Sequence, residues 1–265
     1  MQDLWGQADR FIARLERARA EGVDIFGDVY PYDYWETTLT QLFPARDFRN
    51  VDSARYALEH VVGPEGIRFT EYKPDPLLVG KTVAEIAAAR HEDTALTLQS
   101  LIVDSATPEE FELETMKGMS QTDVDRIVAW PHANICSDGY LVDQHPRAAG
   151  AFTRILRDYV RERHLLSLEE AVRKMTSLAA ANMGIPDRGL IRLGFFADLV
   201  LFDPDSVSDQ STVSEPHRLS TGVQTVWVNG VRVFDGGQTT GARPGRIIRH
   251  QIASPGSDPS VDRRH

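Results

Sequence analysis

The dipeptide Asn229–Gly230 lies between the runs VQTVWV and VRVF, and it restricts the fold more than any other feature of the chain. A two-residue type I′ connection needs φ > 0 at both central positions, which Asn and Gly tolerate and most residues do not. The spacing therefore predicts a β-hairpin across residues 222–235 and excludes a helix there. The surrounding texture agrees: from Asp187 onward, short apolar runs such as LIRLG and ADLVLFD alternate with turn signals. We expect residues 187–250 to form a small β module. Residues 251–265 are polar and rich in Pro, Gly and Ser, the composition of a disordered tail.

Residues 1–186 read differently. Ala8, Phe11, Ile12, Leu15 and Ala18 recur at helical spacing before Gly22, predicting a helix over 7–21. The run VDIFGDVYPY follows and suits a buried strand ended by Pro31. Helix, short turn and buried strand form the repeating unit of a parallel α/β fold. Residues 43–80 are punctuated by Pro and Gly and read as an excursion, with a helix near 53–62 and a strand near 67–70. Helices are expected at 82–90, 94–103, 121–130, 147–164 and 168–175, the last with Ser167 and Glu170 as a capping box. Strands are expected near 111–116 and 133–137.

Bulk properties narrow the classes. The 265-residue chain is 42% apolar and 26% charged, with a formal net charge of -10. That acidity disfavours nucleic-acid binding, which needs a basic surface. Cys136 is the one cysteine, so no intrachain disulfide forms, in keeping with a reducing cytoplasm. The first 22 residues are amphipathic and charged, unlike a signal peptide. No run approaches the ~18 apolar residues of a membrane span.

Asp138 is the most informative polar residue. It follows the apolar run 133–136 and precedes Gly139, at the strand end where α/β barrels gather catalytic groups. Taken alone, the pattern fits a turn-capping aspartate better. Tyr30 and Tyr32 end another expected strand, and Arg147 and Arg154 follow in HPRAAGAFTR. Arginine is the natural bidentate partner of a carboxylate. Of eight histidines, His145 alone follows Asp138 closely in sequence, in the HPR turn; the others read as surface or loop residues. Trp130, Phe152 and Tyr159 read as core.

Larger segments carry a resemblance. NMGIPDRGLIRLGFFADLVLFDPDSV followed by VQTVWVNGVRVFDGG resembles the closing segment of the amidohydrolase superfamily. There the chain leaves a (β/α)8 barrel and completes a small β-sandwich. DVYPYDYWETTLTQLFP, ICSDGYLVDQHPRAAGAFTRILRDYV and LSLEEAVRKMTSLAAANMGI are similar to the N-acyl-D-amino-acid deacylase branch. The resemblance spans residues 4–249. It implies an α/β fold: the C-terminal part of a TIM-like barrel over 1–186, with 43–80 inserted between barrel strands, and a β-sandwich module over 187–250. The barrel strands would lie near 24–30, 111–116 and 133–137.

The resemblance also implies site residues. Asp138 would be the aspartate ending the last barrel strand, moving a proton from a metal-held water to the leaving amine and offering one metal ligand. Tyr30 and Arg147 match positions that grip a substrate carboxylate. Thr37 matches a polar pocket position, and Met116 and Met119 match positions on the acyl side. Glu36 stands where the family often has serine, and its charge would repel a carboxylate. The implied cofactor is Zn2+ and the implied partner a small N-acyl amino acid, with neither nucleic acid nor membrane.

The departures are equally informative. The family's H-x-H motif is absent, and its ligand cysteine and two further histidines fall upstream of the opening helix. The resemblance therefore implies a chain starting past the metal-binding half and inactive alone. A cyclic-amide hydrolase and a non-catalytic binding module are the alternatives.

Overall fold

A computed structural model of the chain describes residues 1–106, 112–140, 142 and 144–248. Helix α1 (Ala8–Ala20) leads to strand β1 (Gly27–Val29) and then to β2 (Trp35–Thr37). Next come α2 (Val51–His60), β3 (Ile67–Tyr72), α3 (Val83–Arg90), α4 (Thr94–Ser105) and β4 (Glu112–Met116). Helix α5 (Gln121–Ala129), strand β5 (Ala133–Ile135) and α6 (Arg147–Arg154) follow. A wider π-helical run, Ile155–Glu162, extends α6 before α7 (Leu168–Met175) and α8 (Ser177–Asn182). The chain closes on β6 (Leu199–Phe202), β7 (Val223–Val228), β8 (Val231–Asp235) and β9 (Gln238–Thr239).

The helix starts follow from their capping residues. Thr82 and Glu85 exchange both bonds of a capping box at α3, satisfying two amides that have no intrahelical acceptor. Ser167 accepts from the Glu170 amide as expected. The Glu170 carboxylate turns instead to the Arg173 guanidinium at 2.7 Å, so that box is only half formed. At α1 the cap comes from another element: Asp123 of α5 accepts from Gly6 N at 2.7 Å and Ala8 N at 3.0 Å. This ties the two helices together.

Three sheets result. Strands β1 and β5 pair in parallel, with Asp28 opposite Asn134. Val29, Ala133 and Ile135 face a core with Val124, Val128, Ile155, Tyr159 and Ala171. Pleating sends Asp28 and Asn134 to the opposite face, where the Asn134 amide donates to Asp28 at 2.9 Å. The second sheet, in the order β2-β4-β3, is antiparallel. It carries a separate core with α2, α3 and α4, built on Leu39, Ile67, Phe69, Ile86, Leu98, Leu101 and Met116. The third is one antiparallel sheet in the order β6-β7-β8-β9. At its hairpin Asn229 has φ 48° and Gly230 φ 77°, the pair of positive angles expected.

Two expectations change. Residues 111–116 were grouped with the parallel strands; Phe111 lies outside the described residues, and Glu112–Met116 pairs antiparallel between β2 and β3. Residue type marks a strand but not its direction. Phe152 is 44% exposed on α6 rather than in the core, whereas Trp130 and Tyr159 are buried. The expected tail over 251–265 lies outside the described residues.

Candidate functional site

The polar face of the β1–β5 pair leads directly to a charged cluster. Beyond β5, the Cys136 amide donates to the Val29 carbonyl at 3.0 Å, carrying the pairing one residue past the strand towards Asp138. Asp138 itself adopts φ 49°, a left-handed conformation that Asp tolerates better than most residues. Gly139 follows because no larger residue fits: a Cβ there would lie 2.5 Å from the Ala148 Cα. That close approach sets Asp138 against the start of α6, whose first residue is Arg147.

The Arg147 Nη1 lies 2.8 Å from the Asp138 Oδ2, with Arg147 nearly buried (7% exposed) and Asp138 open (58%). The guanidinium carbon also sits 5.1 Å from the centre of the Tyr30 ring. Burial raises the Tyr30 hydroxyl above its ordinary value of 10, against the pull of Arg147. At neutral pH it is a phenol, able to donate a hydrogen bond. One side of the cluster is thus a desolvated cation with a neutral donor, and the other an exposed carboxylate.

His145 lies beneath, fully buried. Its Nδ1 accepts from the Arg147 backbone N–H at 3.0 Å. Its Nε2 stands 3.0 Å from the Tyr34 carbonyl, and the Tyr34 ring stacks on the imidazole at 4.5 Å. A single HPR histidine gave no sequence sign of this packing. Its partner Tyr34 comes from a segment 111 residues earlier.

The remaining expected site residues scatter. Arg154 is 3.8 Å from Asp209 and 4.7 Å over the Tyr32 ring, so it serves another buried cluster. Met116 is fully buried in the core of the antiparallel sheet. Met119 packs on the other core. Thr37 lies opposite Glu114 and so shares a face with it. Pleating turns the neighbouring Glu36 the other way, where it accepts from the Gln144 amide at 3.2 Å. Glu36, not Thr37, therefore reaches the loop that carries His145 and Arg147. A groove of about 630 Å³ lies elsewhere, between Phe152 of α6 and Val223, Val226 and Phe234.

The donor set is poor for a metal. Among the described residues no three His, Cys, Asp or Glu side chains converge. Asp138 is bonded to Arg147, and both His145 nitrogens face backbone groups. Burial pushes the Cys136 thiol up to about 11, whereas metals bind thiolate. These residues do not by themselves fit a resident metal.

Residues 132–234 match a family model described as the amidohydrolase family. That stretch is similar to amidohydrolases. It holds β5, Asp138, His145, Arg147 and the terminal hairpin. The chain is 50% identical over 144 residues to an N-acyl-D-aspartate deacylase from Alcaligenes xylosoxydans xylosoxydans, covering 54% of this chain and 29% of that protein. It is 37% identical over 255 residues to an N-acyl-D-glutamate deacylase of the same organism, covering 96% of this chain and 47% of the relative. A solved N-acyl-D-glutamate deacylase from Bordetella bronchiseptica, complexed with zinc and a phosphonate inhibitor, superposes with TM-score 0.71 at 35% identity. It covers 89% of this chain and 46% of its own. The matched stretch thus spans about half the length of the two N-acyl-D-glutamate deacylases and 29% of the N-acyl-D-aspartate deacylase. The chain shares a mixed α/β fold with enzymes acting on non-peptide C–N bonds. No helix among the described residues is long and apolar enough to cross a membrane.

Proposed function

We propose that this chain supplies the substrate-gripping and proton-handling part of a metal-dependent N-acyl-D-amino-acid deacylase. The observation that carries the reading is the convergence of Arg147, Tyr30 and Asp138 at the end of the parallel pair. Arg147 is a desolvated cation whose fork suits a carboxylate, and Tyr30 adds a neutral donor. Together they would hold the free carboxylate of an N-acyl-D-amino acid. Asp138 would take a proton at its carboxylate from the attacking water and return it to the leaving nitrogen. Glu36, beside the same loop, would disfavour a second substrate carboxylate close to it. Met119 stays a candidate for the acyl side, and Thr37 and Met116 lie on the insert's core face. The small β module would complete a barrel-and-sandwich architecture over 1–186 and 187–250.

Zn2+ is the cofactor this reading assigns to the complete catalytic assembly. The described residues do not by themselves make its site, since no three candidate ligands converge among them and catalytic zinc takes about three protein ligands. The test is to dialyse the 265-residue chain against zinc, count bound metal and assay N-acetyl-D-amino acids. Substoichiometric metal and no turnover are expected. Near-stoichiometric zinc with turnover abolished by Asp138→Ala would overturn the assignment of ligands outside this chain.

A further inference from the structure

We infer that His145 is a positioning residue, held as the Nε2–H tautomer, that fixes Arg147 against Tyr30 and Asp138. The inference rests on the reading of Arg147 as the carboxylate grip. The tautomer follows from the partners alone. The Arg147 backbone N–H points at Nδ1 from 3.0 Å, so Nδ1 carries a lone pair and accepts. The ring proton then sits on Nε2, which is 3.0 Å from the Tyr34 carbonyl and donates to it. A carbonyl can only accept, so the opposite tautomer would lose both bonds. A buried polar ring without partners is costly, and this one is fully buried.

The two bonds join the tyrosine segment to the start of α6. Tyr34 belongs to the stretch linking β1 to β2, directly after Tyr30 and Tyr32. Arg147 opens α6. Tyr32 and Tyr30 flank the imidazole edge-on at 5.1 and 5.9 Å, and Tyr34 stacks on its face. The ring therefore wedges between the tyrosine segment and the helix start. It fixes the distance from the Arg147 backbone to the Tyr30 ring. A guanidinium fork held in place loses less freedom when it receives a carboxylate.

Nitrogen-15 spectroscopy of the histidine side chains reads the tautomer in the wild-type 265-residue chain, and amide exchange reads protection of the Arg147 N–H. Affinity for N-acetyl-D-methionine, which has a single carboxylate, is then measured for wild type, Arg147→Met, His145→Phe and His145→Asn. Phe keeps the ring stack on Tyr34 but neither bond. Asn places its Oδ1 near the position of Nδ1 and can still accept from Arg147. Expected are an Nε2–H tautomer, a protected Arg147 amide, and a roughly tenfold loss of affinity per folded molecule in His145→Phe. Recovery of part of that loss in His145→Asn is also expected. A merely structural histidine would lower thermal stability in both variants and leave the affinity of folded protein unchanged. An Nδ1–H tautomer, or unchanged affinity in His145→Phe while Arg147→Met loses it, overturns the inference. If Arg147→Met binds as wild type, the carboxylate reading fails instead; the tautomer and amide protection then decide whether His145 fixes the helix start.

Discussion

The antiparallel sheet β2-β4-β3 and the terminal sheet β6-β7-β8-β9 end with opposite burial, and the one richer in apolar strand residues is the more exposed. In the first, helices α2, α3 and α4 close one face, and Leu39, Ile67, Leu98 and Leu101 are wholly buried. In the second, Leu199, Val200 and Leu201 are exposed on both faces of β6, and Leu193 is 100% exposed nearby. The strands WET, IRFTEY and ELETM carry four glutamates, whereas LVLF, VQTVWV and VRVFD are mostly apolar, so apolar content does not set the burial; what covers the sheet does. A run such as ADLVLFD therefore identifies a strand, while its burial is decided by its neighbours.

The largest contrast is a matched pair of truncations. Leu101→Ala should cost about 2–5 kcal/mol, since it leaves a cavity in a closed core. Leu201→Ala, on the half-exposed strand, should cost under about 1 kcal/mol. Urea denaturation of both variants checks this, and equal losses would erase the distinction between the sheets.

A second contrast concerns charge in the closed core. Glu112 and Glu114 both point inward from β4, and among the described residues neither Glu114 oxygen has a hydrogen-bond partner. Burial raises Glu114 well above its ordinary 4.5, and the Glu112 carboxyl raises it further. The folded state thus keeps a proton that the unfolded chain releases. Stability from this group is complete below pH 4.5 and is lost as pH rises through the folded value. Glu114→Gln should flatten that decline, recovering on the order of 1–3 kcal/mol at pH 8 relative to pH 5. Denaturation midpoints with an unchanged pH slope would show that Glu114 ionises without penalty.

The smallest effect belongs to the hairpin. Asn229 holds φ 48° and its amide donates to the Pro244 carbonyl at 2.7 Å. Asn229→Ala should cost about 1–2 kcal/mol through the strained backbone, whereas Asn229→Gly should cost less. Thermal melts of the two variants distinguish backbone strain from the lost side-chain bond.

How much was legible in the sequence follows the same division. Local signals read well: Asn229–Gly230, the periodicity of α1 and the Ser167 cap each depend on a few adjacent residues. Partner choice did not. ELETM states a strand but not that β2 and β3 flank it antiparallel, and carboxylates at 112 and 114 gave no sign of facing a core. At the candidate site, strand ends singled out Asp138 and Tyr30, and the HPR triplet that contains it singled out Arg147. Their convergence needed Gly139 to let α6 approach. His145 stayed hidden because its partners lie more than a hundred residues away or in the backbone. Met116 was read as pocket lining, since its inward direction depends on a register that the sequence does not state.

The central claim is that Arg147, set between Asp138 and Tyr30, receives a substrate carboxylate. Calorimetric titration of the 265-residue chain with N-acetyl-D-methionine tests it most directly, comparing wild type with Arg147→Met and with Arg188→Met. Arg188 pairs with Asp198 in the terminal module and serves as a control. The account predicts that Arg147→Met weakens binding roughly 10- to 100-fold, the worth of a charge-assisted bond, while Arg188→Met leaves it unchanged. Equal binding by wild type and Arg147→Met would contradict it.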